Sequence, residues 1–408
     1  MSSFGATAVV TPARVTGAAP PAGPHTVRRP PLVRPAPPEP DFGPHVRVFG
    51  PGDPAAEIQA AFDAAGPGPA ASASGAPASA GHPRAFLFKP GTYRLDAELG
   101  PHTSAVGLGP APEAVTVHGT LRAADPTAAD AAGSVAAGLR RSTENLNLVP
   151  AESGSAGGSP AGSSEKPFLY VDGTGAYRVF LPALRHGGAG TAGGRAAYGW
   201  SVPIDRFFVA RPGDSVRALN RALAQGRHLL LTPGLYRLTD TVRVKWAGTV
   251  VLGLGSVTLA PVGATVPMTV ADARGVRIAG LMFDAGPATP PVLLEVGRSG
   301  GGRCDPREPA SVQDVFFRLG GAEDGRALVA HSDHVLLEGV WAWRAGRAVS
   351  VGAAGCVASG AGGDVSGVPE HPGVRFHDLP ALPCGEAGVR DHAVDGGGAA
   401  QGTGAVPR

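Results

Sequence analysis

Three acidic residues are the leading candidates for chemistry: Asp284, Asp314 and Glu338. Each sits in one of three similar segments, GVRIAGLMFDAG (275–286), SVQDVFFRLGG (311–321) and HVLLEGVWAWRAG (334–346). Aligning Leu281, Val315 and Val340 spaces the segments by 34 and 25 residues, from 281 to 315 and from 315 to 340. As successive strands of a coil, the segments carry their acids at near-equivalent places. Neighbouring strands lie about 4.8 Å apart, so residues two rungs apart are separated by roughly 9.6 Å. Asp284 and Glu338 have that expected separation. Two carboxyls about 6.5–9.5 Å apart admit an attacking water across a glycosidic bond, whereas about 5–5.5 Å suits a nucleophile and its acid. The pair falls at the upper edge of the water-admitting, inverting range. The competing reading is structural, since Asp and Glu beside strands ordinarily serve turns and surfaces.

Trp341 and Trp343 alternate along one strand and so share a face, with Arg344 following on the opposite face or at the edge. A sugar ring can stack on such a pair; one face of a buried strand gives the same pattern. His331 and His334 flank Ser332-Asp333 in an H-x-x-H spacing, but no third ligand is fixed by sequence and a solvated turn fits better. Asp305 and Glu308 lack the glycine and acidic periodicity of a calcium loop. No phosphate loop, nucleophile elbow or cofactor fingerprint is present, so neither a metal nor a cofactor is assigned.

The elements that must position these residues are announced by a duplication. Residues 229–252, LLLTPGLYRLTDTVRVKWAGTVVL, repeat in edited form at 86–106, FLFKPGTYRLDAELGPHTSAV. Each copy runs apolar strand, Pro-Gly turn, Tyr-Arg-Leu strand, polar break and a further strand closing on Gly-Leu-Gly at 107–109 and 253–255. A short amphipathic helix precedes each. Asp53-Pro54 supplies an N-cap and a first-turn proline, with Ile58, Ala61, Phe62 and Ala65 on one face. Asp214 is the expected N-cap of the second, with Val216, Leu219 and Leu223 on one face and Gly226 as its stop. A helix at this place covers the open end of a strand coil, whose edge groups otherwise recruit other strands. The repeat of Tyr93 as Tyr236 in both Pro-Gly-x-Tyr turns points to packing more than to function.

The expected fold is therefore all-β, a parallel solenoid in two shortened copies. Residues 1–44 read as a disordered Pro/Ala-rich arm, 45–150 as the first, incomplete coil and 151–164 as a flexible linker. Residues 165–205 read as bridging strands with a hairpin turn at Asp172-Gly173, 206–380 as the second coil and 381–408 as a flexible tail. The chain has 62 Gly and 41 Pro in 408 residues, many in runs that cannot pack a core. A net charge of +2, from 35 basic and 33 acidic residues, supplies no basic face for nucleic acid. No apolar run reaches about 18 residues, so no membrane insertion is expected. Cys304, Cys356 and Cys384 lack zinc-site spacing and cannot all pair within one chain; a 356–384 disulfide and isolated thiols both remain open. The start at Met1 shows no signal-peptide core, the longest early apolar stretch being 6–10.

The capped FKPGTY and LTPGLY units resemble the pectate-lyase-like superfamily of right-handed parallel β-helices. Their doubling is similar to the twin coils of glycoside hydrolase family fifty-five, the exo-β-1,3-glucanases. TVVLGLGSVTLAP, VADARGVRIAGLMFDAGP, SVQDVFFRLGG and VWAWR also resemble large secreted actinobacterial proteins labelled coagulation factor 5/8 type or adenylyl cyclase. The resemblance covers roughly 46–149 and 165–378. It implies a right-handed β-helix, an extracellular setting, polysaccharide as partner and inverting hydrolysis. Cyclase chemistry is rejected for want of a phosphate- or metal-binding pattern. Where members of that group carry long tracts rich in aromatic and acidic residues, this chain has Ser/Gly-rich sequence at 153–164 and 352–367. That departure makes a non-catalytic glycan-binding or structural β-helix the alternative to a hydrolase, and no family catalytic acid maps onto this chain residue by residue.

Overall fold

The structure is a computed structural model that describes residues 39–65, 83–100, 102–123, 142–150, 166–183, 198–298, 307–319, 326–332, 335–343, 347–351, 357–359, 373–375 and 390–393. The side chains of Ala123, Trp343 and the strands after it fall outside that description, as do Arg344, the three cysteines, Asp333, His334 and the arms and inserts.

Among the described residues, strands dominate and pair almost entirely in parallel, coiling twice as a right-handed parallel β-helix. The first coil stacks Val46–Phe49, Arg84–Phe88, Thr103–Gly107 and Ser142–Glu144 in one sheet and Gly91–Leu99, Val115–Ala123 and Asn147–Val149 in another. The second stacks Phe207–Ala210, His228–Leu231, Val250–Gly253, Arg277–Asp284, Ala310–Arg318 and Val335–Trp343. A second face is formed by Gly234–Leu238 and Val257–Pro261 with the far half of Arg277–Asp284. A third runs from Val242–Val244 through Met268–Val270, Val292–Val296 and Arg326–Ala330 to Arg347–Val351. Leu281 pairs with Val315 and Val315 with Val340, the register expected from the 34- and 25-residue spacings. At the far end Gly373–Arg375 and Arg390–Ala393 pair antiparallel onto the second coil, so the segment expected as a tail contributes a strand.

Helices Ala55–Asp63 and Val216–Ala224 open the two coils, burying Ile58, Ala61 and Phe62 in the first and Val216, Leu219 and Leu223 in the second. Their caps differ from expectation. Ser215, not Asp214, accepts a bond from the helix, at Ala218 N (3.2 Å), and Pro54 holds the N-cap position of the first helix. Asp53 and Asp214 instead close the turn before the helix, accepting from Gly50 N (2.9 Å) and Arg211 N (2.8 Å). A proline or serine between the aspartate and the helix moves the carboxylate one residue back, onto the turn. The Pro-Gly-x-Tyr turns are structural twins. Tyr93 donates to Lys89 O (2.6 Å) and Phe49 O (3.2 Å), and Tyr236 to Thr232 O and Ala210 O (both 2.9 Å). Gly91 and Gly234 have φ of +151° and +150°, and a Cβ there would lie 2.5 Å from Pro51 and 2.0 Å from Pro212. Glycine is required where that turn rests on the preceding proline.

Each coil has its own apolar interior, and a further cluster lies between them. It joins Ala85, Leu87, Val106 and Leu108 from the first coil to Leu230, Val250, Leu252 and Ala279 from the second, with Leu169, Val171, Val179 and Leu181 of a hairpin between. That hairpin is Phe168–Val171 and Tyr177–Pro182, extended by the antiparallel strand Gly199–Pro203. Its turn forms at Asp172-Gly173 as read from sequence, with the Asp172 carboxylate accepting from Thr174 and Ala176 and paired to Arg178.

Candidate active site

A left-handed corner recurs in the three long strands of the second coil and decides which side chains share a face. Gly280, Asp314 and Gly339 have φ of +65°, +52° and +59°, and pairing on either side places them level with one another. Asn145 (φ +53°) holds the same place in the first coil, following the pair Val106–Glu144. The rung before each corner comes so close that a Cβ on Gly253 would lie 2.0 Å from Gly280 O, and one on Gly107 1.9 Å from Asn145 O. The left-handed residue bends the strand from one face of the coil to the next.

This corner separates the three carboxylates that sequence alignment placed together. Glu338 precedes the corner and pairs with Gln313, itself level with Ala279. Asp314 occupies the corner. Asp284 comes four residues past the corner and pairs with Arg318, which pairs with Trp343. The expected two-rung equivalence of Asp284 and Glu338 does not hold, because they lie on opposite sides of the corner, five residue positions apart along the register. Asp284 is gripped on both oxygens by Arg318 (2.8 and 2.6 Å) and accepts from Gly286 N (2.9 Å). Trp341 lies past the corner, half-buried and paired with Phe316. Trp343 is placed only by its backbone.

What the structure does bring together is a polar cluster at the end of the interface between the coils. On the outer face of the second coil one row reads Val209, Leu230, Leu252, Ala279, Gln313, Glu338. The equivalent row of the first coil reads Val48, Leu87, Val106, Glu144. The apolar members pack against one another, and among the described residues the last member of each row is a glutamate one residue before the corner. Gln313 is 0% exposed and donates to Glu338 Oε2 (2.9 Å) while Ser311 Oγ, 1% exposed, lies 3.4 Å from Gln313 Oε1. Lys166 Nζ bridges the coils, 2.9 Å from Glu144 and 2.6 Å from Asp314, with its side chain 11% exposed. Burial pulls the Lys166 ammonium down, but the charges of Asp314 and Glu144 outweigh it and hold it above the usual lysine range. Arg277, 3% exposed, sits one outward position from Ala279 and donates to Pro182 O (2.5 Å).

Sequence reasoning missed Gln313, Ser311, Arg277, Glu144 and Lys166. The signal was present: SVQ at 311–313 places polar residues on both outward positions of a strand whose surroundings are apolar.

The chain carries the LAM55 pectate lyase-like domain over residues 207–367. It matches the solved structure of sacteLam55A from Streptomyces sp. SirexAA-E at 30% identity and a TM-score of 0.61, covering 76% of this chain and 72% of that one. The chain belongs to this LAM55 family. A glutamate-to-alanine variant of sacteLam55A in complex with glucose matches with a TM-score of 0.62 and 30% identity, over 75% of this chain and 70% of that one. A curated exo-β-1,3-glucanase from Streptomyces sp. (strain SirexAA-E / ActE) is 42% identical over 194 residues, 47% of this chain. That match spans 32% of the glucanase. This LAM55 chain thus has homology to a β-glucan hydrolase along a stretch as long as 194 residues.

Proposed function

We propose that this chain hydrolyses a β-1,3-linked glucan with inversion, using Glu338 as the proton-donating acid. The observation that carries the reading is the pairing of Glu338 with the fully buried amide of Gln313, at the polar end of the interface between the coils. Gln313 and Ser311 fix the rotamer of the acid; a group meant to protonate a leaving oxygen must be held to within about 0.5 Å. Asp314 is one rung and one residue from Glu338, which puts their Cα atoms about 6 Å apart. From a Cα spacing of that size two carboxyls can open to the about 6.5–9.5 Å window that leaves room for a water. Lys166 ties Asp314 to Glu144, so the second carboxylate is oriented from the first coil. Asp284, held on both oxygens by Arg318, is a structural ion pair in this scheme. Trp341 is a stacking candidate past the corner. Homology to an exo-β-1,3-glucanase and the glucose complex of the structural relative support the substrate class.

The test is incubation of the full chain with β-1,3-glucan and a polysaccharide panel, reading released sugar and the anomer first formed. Release of the inverted anomer, abolished by Glu338→Gln and untouched by Asp284→Asn, is expected. Absence of any release sinks the enzyme; binding that persists without turnover, and fails in Trp341→Ala, supports the glycan-binding alternative instead.

A further inference from the structure

Beside the acid cluster stands an exposed aromatic that the catalytic scheme does not use. Trp200 lies on the edge strand Gly199–Pro203 and pairs with Leu181 of the hairpin. It is 54% exposed, although it belongs to a sheet that packs between the coils. The Arg277 guanidinium lies 4.9 Å from its ring centroid, covering one face. Arg277 is buried and bonded to Pro182 O, so ring and cation are held as a unit on the hairpin. The exposure therefore falls on the opposite face of the indole.

Arg277 also fixes where that face stands relative to the acid. It is two rungs and two residues from Glu338 in the register, about 12 Å between Cα atoms. Ser311 and Gln313 lie between them, both buried, and hold the carboxyl from beneath. A rigid aromatic plate with a cation behind it, at that distance from a carboxyl, suits a ligand with apolar faces. A pyranose ring has that build, its axial C–H groups matching the indole.

We propose that Trp200 is a stacking platform for a sugar ring of the glucan, remote from the bond cleaved and backed by Arg277. The proposal rests on the reading of Glu338 as the acid, and the experiment separates the two. The full chain carrying Glu338→Gln is titrated with a β-1,3-linked gluco-oligosaccharide of about six units by calorimetry. Adding Trp200→Ala is expected to weaken binding at least about tenfold, whereas Trp200→Phe, which keeps a ring, stays within about threefold. Trp246→Ala, at an exposed turn elsewhere, is expected to change nothing. Equal affinity with and without Trp200→Ala overturns the platform, as does failure of the Glu338→Gln chain itself to bind. Sugar release by the unsubstituted chain, measured in parallel, judges the catalytic reading independently.

Discussion

The two coils begin as near copies and diverge at their far ends. Both have a cap helix, a Tyr hydroxyl bonded to two carbonyls and a glycine resting on a proline. Among the described residues, both interface rows finish on a glutamate just before a left-handed corner. In the first coil the row passes from Val106 directly to Glu144, and the carboxylate is taken by Lys166. In the second, Ala279 and Gln313 intervene, and Glu338 meets a neutral amide. The comparison teaches that one scaffold carries different ends: Lys166 binds Glu144, and two rungs further along the second coil the amide of Gln313 meets Glu338.

The largest expected effect breaks that comparison at the glutamates. Glu338→Gln should cost about 10³-fold in turnover of β-1,3-glucan, the scale of general-acid catalysis. Glu144→Gln should cost no more than about tenfold, because Lys166 keeps Asp314. Comparable losses in initial-rate assays would mean that the coils contribute equal carboxylates and that the role of Glu338 is not special.

Next in size is the close approach before the corner, which predicts equal damage in both coils. Gly253→Ala and Gly107→Ala each force a Cβ into a backbone carbonyl, and overpacking against atoms that cannot swing aside should cost about 3 kcal/mol. Denaturant midpoints test this. A mild effect at Gly107 alone would show that the first coil yields where the second cannot.

A smaller loss, about 2 kcal/mol, is expected for Lys166→Met, which strands two carboxylates at the junction; Lys166→Arg should recover most of it. The pH dependence follows from the raised pKa of the lysine. A group whose pKa is raised on folding contributes fully below its unfolded value, about 10.4, and loses that contribution as pH rises through the folded value. The stability gap between wild type and Lys166→Met, from melts at fixed pH, should therefore be flat from about pH 7 to pH 10 and shrink only above. A gap that closes below about pH 9 contradicts the paired ammonium.

The architecture was legible because it is written locally. The Pro-Gly-x-Tyr repeat and the spacing of Leu281, Val315 and Val340 fix turn chemistry and register, which depend on near neighbours. The site was half legible. Glu338 and Asp314 stood out as acids on rungs, but their relation to Asp284 was misjudged. Three similar strands share an alternation of inward and outward residues, and a single left-handed residue resets it; only Gly280 and Gly339 hinted at that reset, and Asp314 disguised it. The Lys166 bridge was illegible for a different reason. It joins residues 144, 166 and 314, and nothing in a sequence states that two coils lie side by side.

The corner residues give the finest test of how the coils differ. Asn145 and Asp314 both accept the left-handed conformation, which costs a non-glycine residue roughly 1–2 kcal/mol. Asn145 offsets this by donating to Gly107 O (2.9 Å) and Gly109 O (2.7 Å), tying its own rung to the one before. Asp314 turns outward to Lys166 with its side chain mostly exposed. Replacing each by glycine relieves the same strain but removes different partners. Asn145→Gly should lose two backbone-directed bonds and be destabilised by about 1 kcal/mol. Asp314→Gly gives up one half of a bridge whose lysine is buried but keeps Glu144, so with the strain relieved it should be neutral within about 0.5 kcal/mol. Paired denaturation curves read the difference directly; if Asp314→Gly proves the more damaging, the lysine bridge contributes more to joining the coils than the corner does to building either one.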